Sequence, residues 1–276
     1  VTSLSELSEL TFLKQLLKEL GHSPQKSFGQ NFLINETVIN KIVNHFDITG
    51  RPIVEIGPGL GALTRRIKLK TDDITLLEID KNIINYWLEQ NEEVIAGDAL
   101  KFDWSSLSDD KKILISNLPY QISASLVVNL SSFEHGFQNM VLMFQKEVAQ
   151  RITASPDNKN FGILSVLAQN IWNIKKVADL SLRDFYPSPK IASRVLAFER
   201  KPDVPFEGKK YLNFVKHSFQ NRRKLLMNKV VNYAKSVGVS KEQVHQAVKD
   251  LKINEKARAE NLSAEQFLLL YREITK

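Results

Sequence analysis

Four short apolar runs, each followed by residues at helical spacing, restrict this chain to a sheet built from alternating strands and helices. The runs lie at 53–56, 74–79, 94–96 and 113–116, and helices are predicted to begin near 61, 80 and 122. This alternation implies a parallel sheet, because strands joined through a helix enter the sheet in the same direction. A fifth apolar strand is expected at 140–144. Segments 175–181 and 194–199 have no long helix between them, so they form a closing pair and an antiparallel end. A helix over 36–45 presents Val38, Ile39, Ile42 and Val43, with Phe46 just beyond, and covers the sheet.

The residues that follow these strands carry the chemistry. Gly57-Pro58-Gly59-Leu60-Gly61 comes directly after the first strand and opens a helix. Glycines there permit a tight turn and close approach of the backbone to a ligand at the helix N-terminus. The spacing is not the G-x-G-x-x-G of a dinucleotide site but Glu55-x-Gly57-x-Gly59-x-Gly61. Glu78, 21 residues after Gly57, ends the second strand, where a carboxylate can accept from two ribose hydroxyls. Asp80, two residues on, reads as a solvated acid at a strand end. Asp98 follows the third strand and can accept from an adenine amine. The fourth strand delivers Asn117-Leu118-Pro119-Tyr120. The Asn oxygen and the Leu118 carbonyl can accept both hydrogens of an exocyclic amine on a flat base, and the Tyr ring can stack on that base. Pro119 has no N–H, so the carbonyl before it has no competing donor beside it. Each feature alone also suits a purely structural turn. Together they fall at successive strand ends, where open α/β sheets bind ligands.

The Glu55–Gly61 turn resembles motif I of class I S-adenosylmethionine-dependent methyltransferases, whose ligand carries an amino acid and a sulfonium in place of a diphosphate. More widely, the chain resembles the KsgA family of ribosomal RNA adenine dimethyltransferases. The likeness is carried by Ser27-Phe28-Gly29-Gln30-Asn31-Phe32-Leu33, by the stretches 144–151 and 161–166, by Phe185-Tyr186-Pro187-Ser188-Pro189-Lys190-Ile191-Ala192-Ser193 and by Phe219-Gln220-Asn221-Arg222-Arg223-Lys224. These occur in the family's order from about residue 24 to the C-terminus. The resemblance implies an α/β, Rossmann-like class I fold with a mostly parallel seven-stranded sheet and a small all-α C-terminal domain. It implies S-adenosylmethionine as cofactor, held by Asn31, Leu33, Gly57, Gly59, Glu78, Asp98 and Asn117. Asn117, Leu118, Pro119 and Tyr120 would receive the target adenine, with Phe185 against its other face. The implied activity is N6,N6-dimethylation of two adjacent adenosines near the 3′ end of small-subunit (16S) rRNA, within a pre-ribosomal 30S particle. Family members often carry three prolines and an Asp after that Phe. Here Tyr186, Ser188 and Ala192 interrupt the run and alter the far wall of the base pocket.

Three alternatives share parts of this pattern. An Erm-type enzyme acting on large-subunit rRNA has the same fold and chemistry, but Leu118 and residues 219–224 look more like the KsgA side. A DNA adenine-N6 methyltransferase more often opens its motif with Asp and carries Pro-Pro. A nucleic-acid-binding relative without catalysis would not need the intact turn, both acids and Asn117.

Charge divides the chain. Residues 1–188 hold 19 Lys and Arg against 22 Asp and Glu, whereas residues 189–276 hold 19 against 9. A basic tail on a near-neutral half is the electrostatic layout of an enzyme that docks on a phosphate backbone. Lys209, Lys210, Arg222, Arg223 and Lys224 are the densest candidates for RNA contact, although charge runs are more often plain solvated helix faces. The expected domains are 1–203, binding S-adenosylmethionine, and 204–276, a basic helical RNA-docking domain. Pro202 and Pro205 mark the linker. Helices are predicted at 211–219, 224–237, 241–251 and 264–274, with Ser240 and Ser263 as N-caps of the last two. Within 1–23, Leu4, Leu7, Leu10, Leu13 and Leu17 lie at helical spacing and suggest an accessory helix.

A length of 276 residues suits one large domain or one large and one small. The absence of cysteine excludes a disulfide framework or thiolate zinc site and fits a reducing, cytoplasmic setting. No apolar run approaches the roughly 20 residues of a membrane span, and no secretory signal layout opens the chain, so no membrane partner is expected. His22, His45, His135, His217 and His245 lack metal-ligand spacing and are read as structural or surface, so no metal is expected. No G-x-S-x-G elbow occurs, and Trp87, Trp104 and Trp172 read as packing. The expected assembly state is a monomer.

Overall fold

The computed structural model describes residues 8–25, 28–107, 112–132, 137–202 and 208–275. By contacts the chain forms two compact units. One comprises Val1–Leu126, His135–Ala149 and Ile174–Arg200, the other Val127–Glu134, Gln150–Asn173 and Lys201–Lys276. Leu4, Leu7, Ser27, His135 and the linker residues Asp203, Val204 and Pro205 lie outside the described residues.

In the first unit, helix α1 (Glu9–Glu19) is capped by the Ser8 hydroxyl and buries Leu13 and Leu17. Strand β1 (Phe32–Leu33) leads into α2 (Glu36–Val43), whose N-cap Asn35 accepts from the Val38 N–H at 3.1 Å. The helix expected over 36–45 therefore stops at Val43, with Phe46 still packed against the core. Next come β2 (Ile53–Ile56), the one-turn helix α3 (Thr64–Ile67), β3 (Ile74–Glu78), α4 (Lys81–Glu89) and β4 (Val94–Ala96). Helix α3 begins three residues later than the predicted 61, because Gly61 has φ +89° and cannot join a right-handed helix there. Strand β5 (Lys112–Ser116), helix α5 (Tyr120–Leu130) and β6 (Phe137–Gln145) follow. After α6 (Lys146–Ile152), and after α7 (Ile163–Ile171) of the second unit, come β7 (Trp172–Leu180), β8 (Phe185–Tyr186) and β9 (Ser193–Arg200).

Seven strands form one sheet in the order β4-β3-β2-β5-β6-β9-β7. The pairs β2–β3, β2–β5, β3–β4 and β5–β6 are parallel, and β6–β9 is antiparallel. Strand β2 lies between β3 and β5, with Ile53 opposite both Ile74 and Ile113 and all four of its residues buried. That burial explains its apolar Ile53, Val54 and Ile56, since a sheet covered on both faces needs apolar side chains on both; Glu55 is the one ionisable residue buried among them. Strands β1 and β8 form a separate antiparallel ribbon, Phe32 opposite Tyr186 and Leu33 opposite Phe185.

The second unit is helical. Helices α8 (Gly208–Phe219), α9 (Leu226–Ser236), α10 (Lys241–Asp250) and α11 (Ala264–Ile274) pack with residues of α7 around one apolar cluster containing Leu167, Phe214, Val230, Val244, Phe267 and Leu270. Ser240 and Ser263 cap α10 and α11 as expected. Each accepts from the N–H of a Gln three residues on, and that Gln's oxygen accepts from the cap residue's own N–H. Among the described residues, no helix is long and apolar enough to cross a membrane.

Candidate active site

The turn after β2 is held by contacts that fix its backbone. Gly57, Gly59 and Gly61 have φ of +63°, +52° and +89°, a region L-residues rarely adopt. A Cβ at Gly59 would come within 3.0 Å of Phe32 Cε1, and one at Gly61 within 2.9 Å of Trp87 Cη2. The Trp87 indole N–H donates to the Gly59 carbonyl at 2.9 Å, and the Gly57 N–H donates to the Leu77 carbonyl at 2.8 Å. Trp87 therefore packs, as read from sequence, but what it packs is the turn itself.

Beneath the turn lies Glu55, 1% exposed, whose Oε2 accepts from the Thr64 hydroxyl at 2.7 Å. Burial pushes its carboxyl up to about 8; the Thr64 bond opposes the shift and the neighbouring Glu78 adds to it. Glu78 is 6% exposed at the end of β3, and one oxygen accepts from the N–H groups of Ile79 at 2.7 Å and Asp80 at 2.9 Å. Burial raises its pKa, and those two N–H donors hold it back.

Asp80 is not the solvated acid expected. It is 2% exposed, caps α4 through the Asn82 N–H at 3.0 Å and accepts from Gln30 Nε2 at 2.7 Å. Gln30 in turn accepts from the Gln25 N–H at 2.8 Å and lies 3.3 Å from His22 Nε2. A helix cap and a buried tether to the segment before β1 thus account for it.

Three clefts meet around this turn. The largest, about 220 Å³, is lined by Phe28, Gly57, Glu78, Ile79, Asp98 and Pro119 among others. A second, about 70 Å³, brings Asn31, Gly57, Gly59, Glu78, Asn117, Leu118, Pro119 and Tyr120 together. The third, about 40 Å³, places Glu55 and Leu33 with Gly57, Gly59 and Asn117. Asp98 also accepts from the Leu100 N–H at 2.9 Å, which fixes its carboxylate.

Asn117 follows β5, where Ser116 Oγ donates to the Ile56 carbonyl at 2.5 Å and ties the tips of β5 and β2 together. Asn117 Nδ2 donates to the Asn31 carbonyl at 3.1 Å, and Asn31 Nδ2 donates to the Gly29 carbonyl at 2.9 Å. This pairing orients the Asn117 amide and leaves its oxygen as the acceptor outside that bond. Tyr120 opens α5 with its hydroxyl 2.6 Å from Ser193 Oγ; burial raises its pKa and the Ser193 bond opposes that.

Two predicted positions depart from expectation. Phe185 is 2% exposed within the core cluster that includes Leu33, Leu180 and Val195, and it lines none of these clefts. The cause is its pairing opposite Leu33 in the β1–β8 ribbon, which turns its ring into the core. Phe28, quoted only within a resembling segment, is an aromatic ring that does line the clefts. In the helical unit, Lys209, Lys210, Arg223 and Lys224 are exposed. Arg222 is not a free cation. Its Nε donates to Glu260 at 2.5 Å, Nη1 to the Lys159 carbonyl at 3.0 Å and Nη2 to the Phe161 carbonyl at 2.7 Å. Its fork joins loops of the second unit and is spent there. Among the described residues, no group of three His, Asp or Glu is arranged to hold a metal ion.

Comparison with known proteins agrees with this arrangement. A family model described as "Ribosomal RNA adenine dimethylase" matches residues 21–276. The chain is 43% identical over 262 residues to ribosomal RNA small subunit methyltransferase A of Bdellovibrio bacteriovorus, covering 94% of this chain and 96% of that one. It is 38% identical to the protein of the same name from Syntrophotalea carbinolica, covering 90% and 96%. Its fold is similar to the crystal structure of a dimethyladenosine transferase from Plasmodium falciparum, with TM-score 0.76, 25% identity and coverage of 88% and 97%. The 23S rRNA methyltransferase ErmE shares the fold at TM-score 0.66 and 21% identity, covering 89% and 100%. The seven-stranded sheet with its glycine turn, and a match over nearly the whole chain, lead to one assignment: the chain belongs to the ribosomal RNA adenine dimethylase family of S-adenosylmethionine-dependent methyltransferases.

Proposed function

We propose that this chain dimethylates N6 of two adjacent adenosines near the 3′ end of small-subunit rRNA, on a pre-30S particle, as a cytoplasmic monomer. The two relatives above are both named for the small subunit, which favours that target over large-subunit rRNA. The residues present suit the cofactor: a turn of three left-handed glycines admits close backbone approach, and the buried Glu78 and half-buried Asp98 stand at the ends of the adjoining strands β3 and β4. In this reading Gly57 and Gly59 approach the amino-acid part, Glu78 takes the ribose hydroxyls and Asp98 the adenine amine. Asn31 and Leu33 close the site from β1.

S-adenosylmethionine, when bound, supplies a methyl group that its sulfonium already makes electrophilic. The protein's task is the weak nucleophile, because the adenine N6 lone pair is delocalised into the ring. Asn117 Oδ1 and the Leu118 carbonyl accept the two N6 hydrogens and favour a pyramidal amine with its lone pair directed at the methyl. Tyr120, with its hydroxyl held by Ser193, offers its ring to the base. No residue is required as a strong base, since the proton can leave after attack; positioning and fixed dipoles carry the rate. The observation behind this reading is the Asn117–Asn31 hydrogen bond, which reserves the amide oxygen for the substrate.

Asn117→Ala tests it. Cofactor affinity, measured by calorimetry, should stay within about tenfold of wild type, while methyl transfer should fall by at least about 100-fold. Wild-type turnover in that variant would defeat the assignment. Mass mapping of rRNA from cells lacking the protein should show the adenosines losing their methyl groups.

A further inference from the structure

Helix α1 lies outside the residues matched by the family model, yet it packs on the glycine turn. Leu13 and Leu17 form a buried cluster with Phe32 and with Leu60, the residue between Gly59 and Gly61. Glu9, the first residue of α1 and 8% exposed, pairs with Nη2 of Arg65. The other arm of the same guanidinium, Nη1, donates to the Leu60 carbonyl at 2.6 Å. Phe12, one turn along α1, lies beneath it, with the guanidinium carbon 4.1 Å from the ring centroid. The Glu9 N–H also donates to Glu36 Oε1 at 3.3 Å, anchoring the start of α1 to the start of α2.

We infer that Arg65 is a positioning residue of the cofactor site, and that α1 serves as the latch that aims it. Glu9 and Phe12 fix the guanidinium so that it clamps the Leu60 carbonyl, and with it the backbone on both sides. The physical reason lies in the turn. Three glycines at positive φ give a segment with much freedom to lose, and ordering it on binding costs affinity. A turn ordered beforehand binds at lower cost. Glu9, Phe12 and Leu13 line the small cleft that Asn117 also lines, but the bonds of Arg65 run to Glu9 and to the Leu60 carbonyl of the turn, so the latch acts on cofactor affinity and not on methyl transfer. This inference rests on the reading that the turn holds S-adenosylmethionine.

The test uses the full chain with Glu9→Gln, which breaks the ion pair and keeps the shape, and with Phe12→Leu as a second variant should the first fail to fold. Lys18→Ala, on the exposed side of α1, is the control. In the free protein, amide hydrogen exchange over 57–61 should quicken about fivefold or more in either variant. Calorimetric Kd for S-adenosylhomocysteine and KM for S-adenosylmethionine should rise about five- to tenfold, with kcat and KM for rRNA unchanged. Glu9→Asp should recover part of the affinity, and Lys18→Ala should match wild type. Unchanged exchange and affinity in folded Glu9→Gln and Phe12→Leu, or a fall confined to kcat, overturns the latch. If wild type itself fails to bind S-adenosylhomocysteine, the cofactor reading falls, and the latch with it.

Discussion

Glu55 shows how one side chain can be both a turn support and a pH sensor of stability. Its folded-state value of about 8 lies above the ordinary 4.5, so the folded protein holds the proton more tightly than the unfolded chain. That contribution is present in full below about 4.5 and is lost as pH rises towards 8. Glu55→Gln keeps a neutral, hydrogen-bonding side chain at all pH. Its melting temperature should match wild type near pH 4.5 and exceed it by several degrees near pH 8.5, a gap that scanning calorimetry at both pH values would measure. A gap that does not grow with pH would mean that Glu55 is ionised in the fold. The acid was legible as part of the Glu55–Gly61 pattern. Its neutral state was not, because that depends on how completely the β2 environment excludes water.

At the scale of elements, the short basic stretch 222–224 divides into two roles. Arg222 ties residues 159 and 161 to Glu260, whereas Arg223 and Lys224 remain exposed before α9 begins at Leu226. Arg222→Ala should cost about 2–3 kcal/mol, read as a lower urea midpoint, because it leaves the carbonyls of Asn158, Lys159 and Phe161 and the Glu260 carboxylate without their charged donor. Arg223→Ala and Lys224→Ala should each leave stability within about 0.5 kcal/mol. Each should weaken rRNA binding and lower the slope of log affinity against log salt by about 1. Charge density in the sequence located the stretch, but it could not assign the guanidinium, since Glu260 and the carbonyls at 159 and 161 are distant in the chain. The β1–β8 ribbon was likewise missed: two-residue strands carry no alternation to read. Helices α10 and α11 were legible down to their caps, because a Ser followed three residues later by Gln is a local signal.

Across the whole molecule, the basic excess and the clefts around the glycine turn lie mostly in different units. The clefts around Gly57 and Asn117 are lined by residues of the first, and the excess of 19 Lys and Arg over 9 acids lies beyond residue 188, mostly in the second. The two kinds of binding should therefore separate with salt. Raising salt from about 50 to about 200 mM should weaken rRNA binding by at least about tenfold while changing S-adenosylhomocysteine affinity by less than about twofold. Filter binding for rRNA and calorimetry for the cofactor product would read both. Equal salt sensitivity would argue against a phosphate-directed role for the basic helices.

The strand–helix alternation, the glycine turn, the strand-end acids and the Asn117–Tyr120 segment could be read from residues alone, because each depends on neighbours within a few positions. Only the tertiary structure decided which way each side chain faces once distant segments meet. Pairing with β1 turned Phe185 into the core, a cap and a tether buried Asp80, and Glu260 claimed Arg222. The Asn31 carbonyl oriented the Asn117 amide from 86 positions away. Local patterns specify elements and candidate chemistry. Orientation and protonation follow from desolvation and hydrogen bonding, which exist only after the chain has packed.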